Sequence, residues 1–140
     1  MQFIDQSIEL LKDNGYKITG PRVAVLNALA TAHIPLSPYD IEERIPENIP
    51  VNVVTIYRVL DVFEQLGIVH RILTKHGYVR CDFEEKPGCH HFAICDRCEQ
   101  VSEFVQKKEC DTEMRIPSQC HFQSAGHFAE VTGLCEACSR

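Results

Sequence analysis

The stretch NVVTIYRVLDVFEQLG, residues 52–67, decides how the first half of the chain is read. Asn52 has the chemistry of a helix cap and Gly67 that of a stop. With each residue turned 100° from the last, Ile56, Val59, Leu60, Phe63 and Leu66 form one apolar stripe. Tyr57, Arg58 and Asp61 fall away from it. A helix that docks by one face and offers tyrosine and arginine on another suits a reader of a DNA groove. Beyond it, residues 68–73 and 78–83 are two β-like runs around Thr74-Lys75-His76-Gly77, a hairpin with a basic tip.

Three helical segments precede that stretch. Phe3, Ile4, Ile8 and Leu11 recur at helical spacing and end at Asn14-Gly15. Thr19-Gly20-Pro21 opens a second helix, with Val23, Leu26, Leu29 and Ala30 as its apolar face. Ser37-Pro38 opens a third, with Asp40 in the capping-box place, Ile41 and Ile45 inward and Pro46 at its end. Helices followed by a hairpin make a winged helix, a relative of the helix-turn-helix.

A chain of 140 residues, 44% hydrophobic and 24% charged, has room for one or two small domains with a core. No apolar run is long enough to span a bilayer, and the first residues lack the basic and apolar regions of a signal peptide. The expected compartment is cytoplasmic, with no membrane partner. Eight cysteines then require another explanation than disulfides, and seven histidines beside them point to metal. The net charge of −6 opposes strong non-specific DNA binding. Residues 1–84 carry 8 basic and 11 acidic side chains, but Arg58, Arg71, Lys75 and Arg80 cluster around one helix and one hairpin.

The polar run Glu84-Glu85-Lys86-Pro87-Gly88 reads as a hinge. It divides the chain into a winged-helix DNA-binding domain, residues 1–84, and a second domain, residues 85–140. In the second, residues 90–94 and 101–105 are β-like, residues 106–115 form a polar helix, and residues 122–132 hold a last strand. The fold class is therefore α+β.

Two C-x-x-C pairs, Cys95/Cys98 and Cys135/Cys138, are separated by 36 residues. Two sulfurs so spaced bite one ion from a tight turn, and two such knuckles supply the closed tetrahedral set of a structural zinc site. Glu99 stands where such knuckles often carry glycine. Unrelated pairs or a redox dithiol are the competing readings of the cysteines.

A second site emerges from strand pairing. If Leu73 pairs with Tyr78, His70 lies opposite Cys81; if Ile94 pairs with Glu99, His90 lies opposite Glu103. Opposed side chains stand about 5 Å apart, within reach of one ion. The four residues would make an N2-S-O site, and the thiolate favours zinc over ferrous iron. Cys89 and His91 are adjacent alternatives, although His91 should point to the other strand face. Either pairing breaks on a one-residue slip.

From about Gly15 to Cys138 the chain resembles the ferric uptake regulator family. The run Gly15-Tyr16-Lys17-Ile18-Thr19-Gly20-Pro21-Arg22 is similar to the opening of that family's second helix. Thr55-Ile56-Tyr57-Arg58-Val59-Leu60 is similar to its recognition helix, and Gly67-Ile68-Val69 to the entry to its wing. His90-His91 before Cys95, and the two C-x-x-C pairs, are similar to its dimerisation domain. The resemblance implies a homodimer that binds double-stranded DNA at an inverted-repeat operator when a regulatory metal is bound, and usually blocks transcription. Within the family, His70, Cys81 and Glu103 match the zinc-uptake branch. Iron and peroxide sensors generally have a histidine just before the third helix, where this chain has Pro35 and Leu36 with His33 displaced. They also tend to have one at the position of Phe92. In some members the position of His127 binds a further metal. Cys110, Cys120 and His121 match nothing in the pattern.

The expected function is a zinc-responsive repressor of zinc uptake genes, not an enzyme. It would hold two zinc ions per protomer, one structural and one regulatory, with a weaker third position near His127. Arg58 is expected to contact guanine, Tyr57 a phosphate or thymine methyl, Tyr39 and Arg22 the DNA backbone, and Lys75 and His76 a flanking phosphate or the minor groove. An iron- or peroxide-responsive regulator is the alternative. A zinc hydrolase needs an open coordination position and a general base, and neither an H-E-x-x-H nor an H-x-E motif occurs.

Overall fold

The computed structural model describes residues 2–82, 89–104, 116–123 and 127–140. The chain forms two compact units, Met1–Asp82 and Phe83–Arg140. The hinge expected at residues 84–88 and the helix expected at 106–115 lie outside the described residues, as do Cys110 and the side chains of Cys89 and His127.

The first unit is built from four helices, α1 (Gln2–Asp13), α2 (Gly20–Ala30), α3 (Pro38–Arg44) and α4 (Val53–Gln65). Each helix begins or ends where its sequence provides a local partner for orphan backbone groups. Gly15, at φ 81°, follows α1 in the left-handed region that terminates helices. Thr19 accepts a hydrogen bond from the Arg22 N–H. Ser37 and Asp40 form the reciprocal capping box at α3. Asn52 Oδ1 accepts from the Thr55 N–H at 2.9 Å.

The apolar faces meet in one core. Leu11, Val25, Leu26, Ile41, Ile56, Leu60 and Phe63 are all fully buried within it. Of the stripe expected on α4, Ile56, Val59, Leu60 and Phe63 are buried, whereas Leu66 caps the helix and is only partly covered.

The wing follows as β1 (Val69–Ile72) and β2 (Gly77–Arg80), joined by a short 3-10 turn at Leu73–Lys75. Its register differs from the expected one. His70 lies opposite Val79, not Cys81. The four-residue loop runs over residues 73–76 and not 74–77, which displaces the pairing by two. The reason lies outside the hairpin. Gly77 is drawn into the strand against residues before α3: a Cβ there would stand 2.8 Å from Pro35 Cβ. Leu36 and Tyr78 exchange backbone hydrogen bonds at 3.0 and 2.8 Å. His76, at φ 50°, takes the left-handed place that glycine would otherwise fill. Arg71 ties the wing to α4, donating to Glu64 Oε2 at 3.0 Å and lying over the Tyr78 ring.

The second unit contains a three-stranded sheet of β3 (Cys89–Cys95), β4 (Val101–Phe104) and β5 (His127–Gly133), in the order β4-β3-β5. β4 runs antiparallel to β3, and β5 runs parallel to it. A four-residue helical turn, α5 (Glu136–Ser139), follows. The hairpin register again departs from expectation by two. Ile94 pairs with Val101, and Glu103 lies opposite Phe92, not His90. The knuckle is wider than the turn assumed, because the Cys95 N–H bonds the Gln100 carbonyl and the Glu99 N–H the Cys95 carbonyl. Glu99 sits at φ 63°, the conformation that explains why glycine is frequent there.

Candidate metal centres and nucleic-acid face

The four sulfurs of Cys95, Cys98, Cys135 and Cys138 converge, all within 4.8 Å of one another. The first knuckle is the β3–β4 turn; the second begins where β5 ends and winds into α5. The Asp96 N–H reaches the Gly133 carbonyl at 2.7 Å, and the Cys135 N–H points at Cys95 Sγ at 3.4 Å. Four thiolates at a zinc–sulfur bond of about 2.3 Å stand about 3.8 Å apart in a tetrahedron. Cys98 Sγ and Cys135 Sγ are 3.8 Å apart. The donor set therefore fits zinc in both chemistry and size.

Its electrostatics are those of a cation site. Backbone N–H groups of Cys98 and Cys135 aimed at the Cys95 sulfur bring that thiol down to about 6. The Gln100 N–H lowers Cys98, but the Cys95 sulfur and burial outweigh it and the thiol rises. Cys138 is pushed up to about 12, first by its contact with Cys135 and then by burial. One sulfur ionises readily while Cys98 and Cys138, in contact with neighbouring sulfurs, resist. A divalent cation at the centre removes that conflict, since the thiolate is the ligating form.

In the first unit His70 is 5% exposed on β1 and Cys81 is 9% exposed just past β2. The Cys81 N–H donates to the Ile68 carbonyl at 2.9 Å, which places Cys81 one diagonal step from His70 on the same hairpin face. In the second unit His90 Nδ1 and Glu103 Oε1 are 3.2 Å apart despite the shifted register, because they too are diagonal neighbours on one face. A carboxylate so placed can orient an imidazole for ligation through Nε2. Phe128 of β5 stacks on His90 with centroids 5.7 Å apart, a neighbour that sequence reasoning missed. His91 lies on the opposite face, buried, edge-on to Phe104.

The residues expected at DNA occupy the first unit's surface. Tyr57 and Arg58 are exposed on α4, with Val54 exposed one turn earlier, and Tyr39 is exposed at the start of α3. Lys75 is half-buried in the wing turn. Arg22 is already engaged: its Nη1 donates to the Lys17 carbonyl at 2.6 Å, and its guanidinium lies over the Tyr16 ring.

Comparison with known proteins agrees with this architecture. The sequence model of the ferric uptake regulator family matches residues 13–132. A ferric uptake regulation protein of Neisseria meningitidis is 33% identical over 135 residues, covering 94% of this chain and 92% of that one. A peroxide-responsive repressor of Staphylococcus saprophyticus is 29% identical, covering 96% of this chain and 90% of its own. A solved zinc uptake regulator complexed with zinc and DNA superposes with a TM-score of 0.88, covering 99% of this chain and 93% of that one at 24% identity. Among the described residues no helix is long and apolar enough to cross a membrane.

Proposed function

The chain belongs to the ferric uptake regulator family, and from that membership we propose that it is a zinc-responsive repressor. It binds double-stranded DNA as a homodimer at an inverted-repeat operator in the cytoplasm, with zinc as corepressor, and controls zinc uptake genes. The observation that carries the reading is the convergence of four cysteine sulfurs within 4.8 Å of one another, one pair at 3.8 Å, in a regulator fold.

Two zinc ions per protomer have distinct roles. The first, on Cys95, Cys98, Cys135 and Cys138, holds the second unit together. The second is taken by His70 and Cys81 of the first unit with His90 and Glu103 of the second; a thiolate in that set supports zinc over ferrous iron. A bound ion supplies positive charge and a link between its ligands. In a dimer such a link sets the separation of the two α4 helices, and half-site spacing on DNA must match it. Without the ion, competent arrangements are a minor fraction and operator affinity falls with that fraction. On the DNA, Arg58 has the planar fork for guanine O6 and N7, and Tyr57 beside it reaches phosphate. Tyr39, Arg22 and Lys75 hold the backbone, with one Arg22 donor already given to the Lys17 carbonyl.

The relatives that respond to iron and to peroxide support a second reading, in which the same fold senses ferrous iron. Operator binding against buffered free zinc decides between them. The probe is a fragment selected from genomic DNA by the zinc-loaded protein, and zinc per protomer is counted in wild type and Cys81→Ser. Wild type is expected to bind as its second zinc loads. Cys81→Ser is expected to keep one zinc and lose at least tenfold in zinc-dependent affinity, the effect of about 1.4 kcal/mol. A Cys81→Ser response equal to wild type would remove Cys81 from the sensing site and favour the iron- or peroxide-responsive reading.

A further inference from the structure

Arg97, inside the first knuckle, reaches across the four-sulfur cluster: its Nη1 donates to the Cys138 carbonyl at 2.8 Å, 41 positions away in the chain. We propose that Arg97 is a positioning residue of this site, holding the far end of the second knuckle closed and so slowing the loss of zinc. The inference rests on the zinc reading of the four cysteines and adds a determinant of metal retention to it.

Each knuckle is closed by its own backbone hydrogen bonds, the second by the Cys138 and Ser139 N–H groups on the Cys135 carbonyl at 3.1 and 2.9 Å, but the two are tied to each other unevenly along their length. The first lies in a hairpin turn, closed by the Cys95 N–H to Gln100 and the Glu99 N–H to Cys95 hydrogen bonds. The second is a single helical turn after a strand end. Its bonds to the first knuckle from Asp96 and Cys95 act on Gly133 and Cys135, at or before its first ligand. Cys138 lies three residues further on, at the end of a turn too short to be stable by itself. The Arg97 guanidinium acts on that end. A hydrogen bond from a charged donor is stronger than a neutral one, and the planar fork fixes direction as well as distance. The charge also has the right sign, because zinc with four thiolates is a net dianion.

Zinc leaves such a site by stepwise release of thiolates. A thiolate whose backbone stays tethered returns at high effective concentration before the next one lets go. Removing the tether therefore raises the rate of metal loss without changing the number of ligands. Arg140 provides the contrast. It too is cationic and lies two residues past Cys138, but its partner, Glu136 Oε1 at 2.6 Å, belongs to the same turn. A tether and a general surface charge are thereby separable.

The test follows zinc transfer from the full, zinc-loaded chain to an excess of a chromogenic chelator. Wild type, Arg97→Met, Arg97→Lys and Arg140→Met are compared. The thiolate-to-cobalt charge-transfer intensity of each cobalt-loaded protein reports how many sulfurs bind. In Arg97→Met the slow zinc is expected to leave roughly tenfold faster, the loss of one partly exposed charged hydrogen bond, with four-thiolate intensity unchanged. Arg97→Lys is expected to recover part of the retention, and Arg140→Met to behave as wild type. Equal release from Arg97→Met and wild type would overturn the proposal, as would equal acceleration in Arg140→Met. If wild type shows neither a slow zinc nor a four-thiolate cobalt spectrum, the zinc reading itself fails.

Discussion

Replacing Cys95 by serine is expected to lower bound zinc by one per protomer and to abolish cooperative unfolding of the second unit. Cys95 is the sulfur that ionises most readily of those whose shift is resolved, and the second knuckle is built against it. A serine hydroxyl neither ionises near neutral pH nor matches the zinc–sulfur distance. Apparent binding energies of structural zinc in small domains are about 10–16 kcal/mol, larger than the net stability of a unit this size. Dimerisation and operator binding should disappear at every zinc level, unlike in Cys81→Ser, while the helical signal of the first unit persists. Elemental analysis and sedimentation check this; a dimer with undiminished zinc would exclude these cysteines as the structural site. Acid should act in the same direction. Thiols release protons when they bind zinc, so affinity falls as pH falls. Above pH about 6 Cys95 has already lost its proton, whereas below it one more proton competes, and zinc retention should decline more steeply there.

Phe63→Ala is expected to destabilise the first unit by about 3–5 kcal/mol. Phe63 is the largest of the fully buried side chains of the α4 stripe and stands among Leu, Ile and Val side chains from the other helices and the wing. Its loss leaves a cavity that four crossing helices cannot fill by small shifts. Since domains of this kind hold about 5–15 kcal/mol in total, much of the population unfolds on mild warming. Urea titration of the helical signal measures the cost, and operator binding should fail with or without added zinc. The four-cysteine zinc should remain, because it belongs to the other unit. A cost under about 1 kcal/mol would mean that α4 is not held by this core.

These two outcomes reflect how differently the parts of the molecule are written in the sequence. Caps at Thr19, Ser37 and Asn52 and the two C-x-x-C knuckles are local, depending on residues two to four apart, and each was legible. The strand registers were not, because the turns were decided elsewhere. Gly77 went into β2 through contact with Pro35 and Leu36, some forty residues away. Glu99 adopted a conformation that composition alone discourages. Both registers moved by two residues, an even step, so His70 with Cys81 and His90 with Glu103 kept a common face although their direct opposition was lost. The parallel pairing of β3 with β5, which brings Phe128 onto His90, has no short-range signal at all.

That parallel pairing also bears on how the chain reaches its native state. The first unit is stitched largely by neighbours in sequence, helix against helix and strand against the next strand, an arrangement that forms fast. β3 and β5 meet only after the long excursion between Cys95 and His127 has been closed. Joining Cys98 to Cys135 encloses 36 intervening residues, a restriction of the unfolded chain comparable to about 4 kcal/mol if an ion imposes it as a covalent bridge would. Zinc captured early by both knuckles would meet that entropic demand before the sheet exists to reward it. A refolding chain should then acquire its first unit at a rate indifferent to zinc and its second at a rate set by zinc supply. In a starved cell, newly made chains would accumulate half-folded, and the pool of competent regulator would itself depend on the metal.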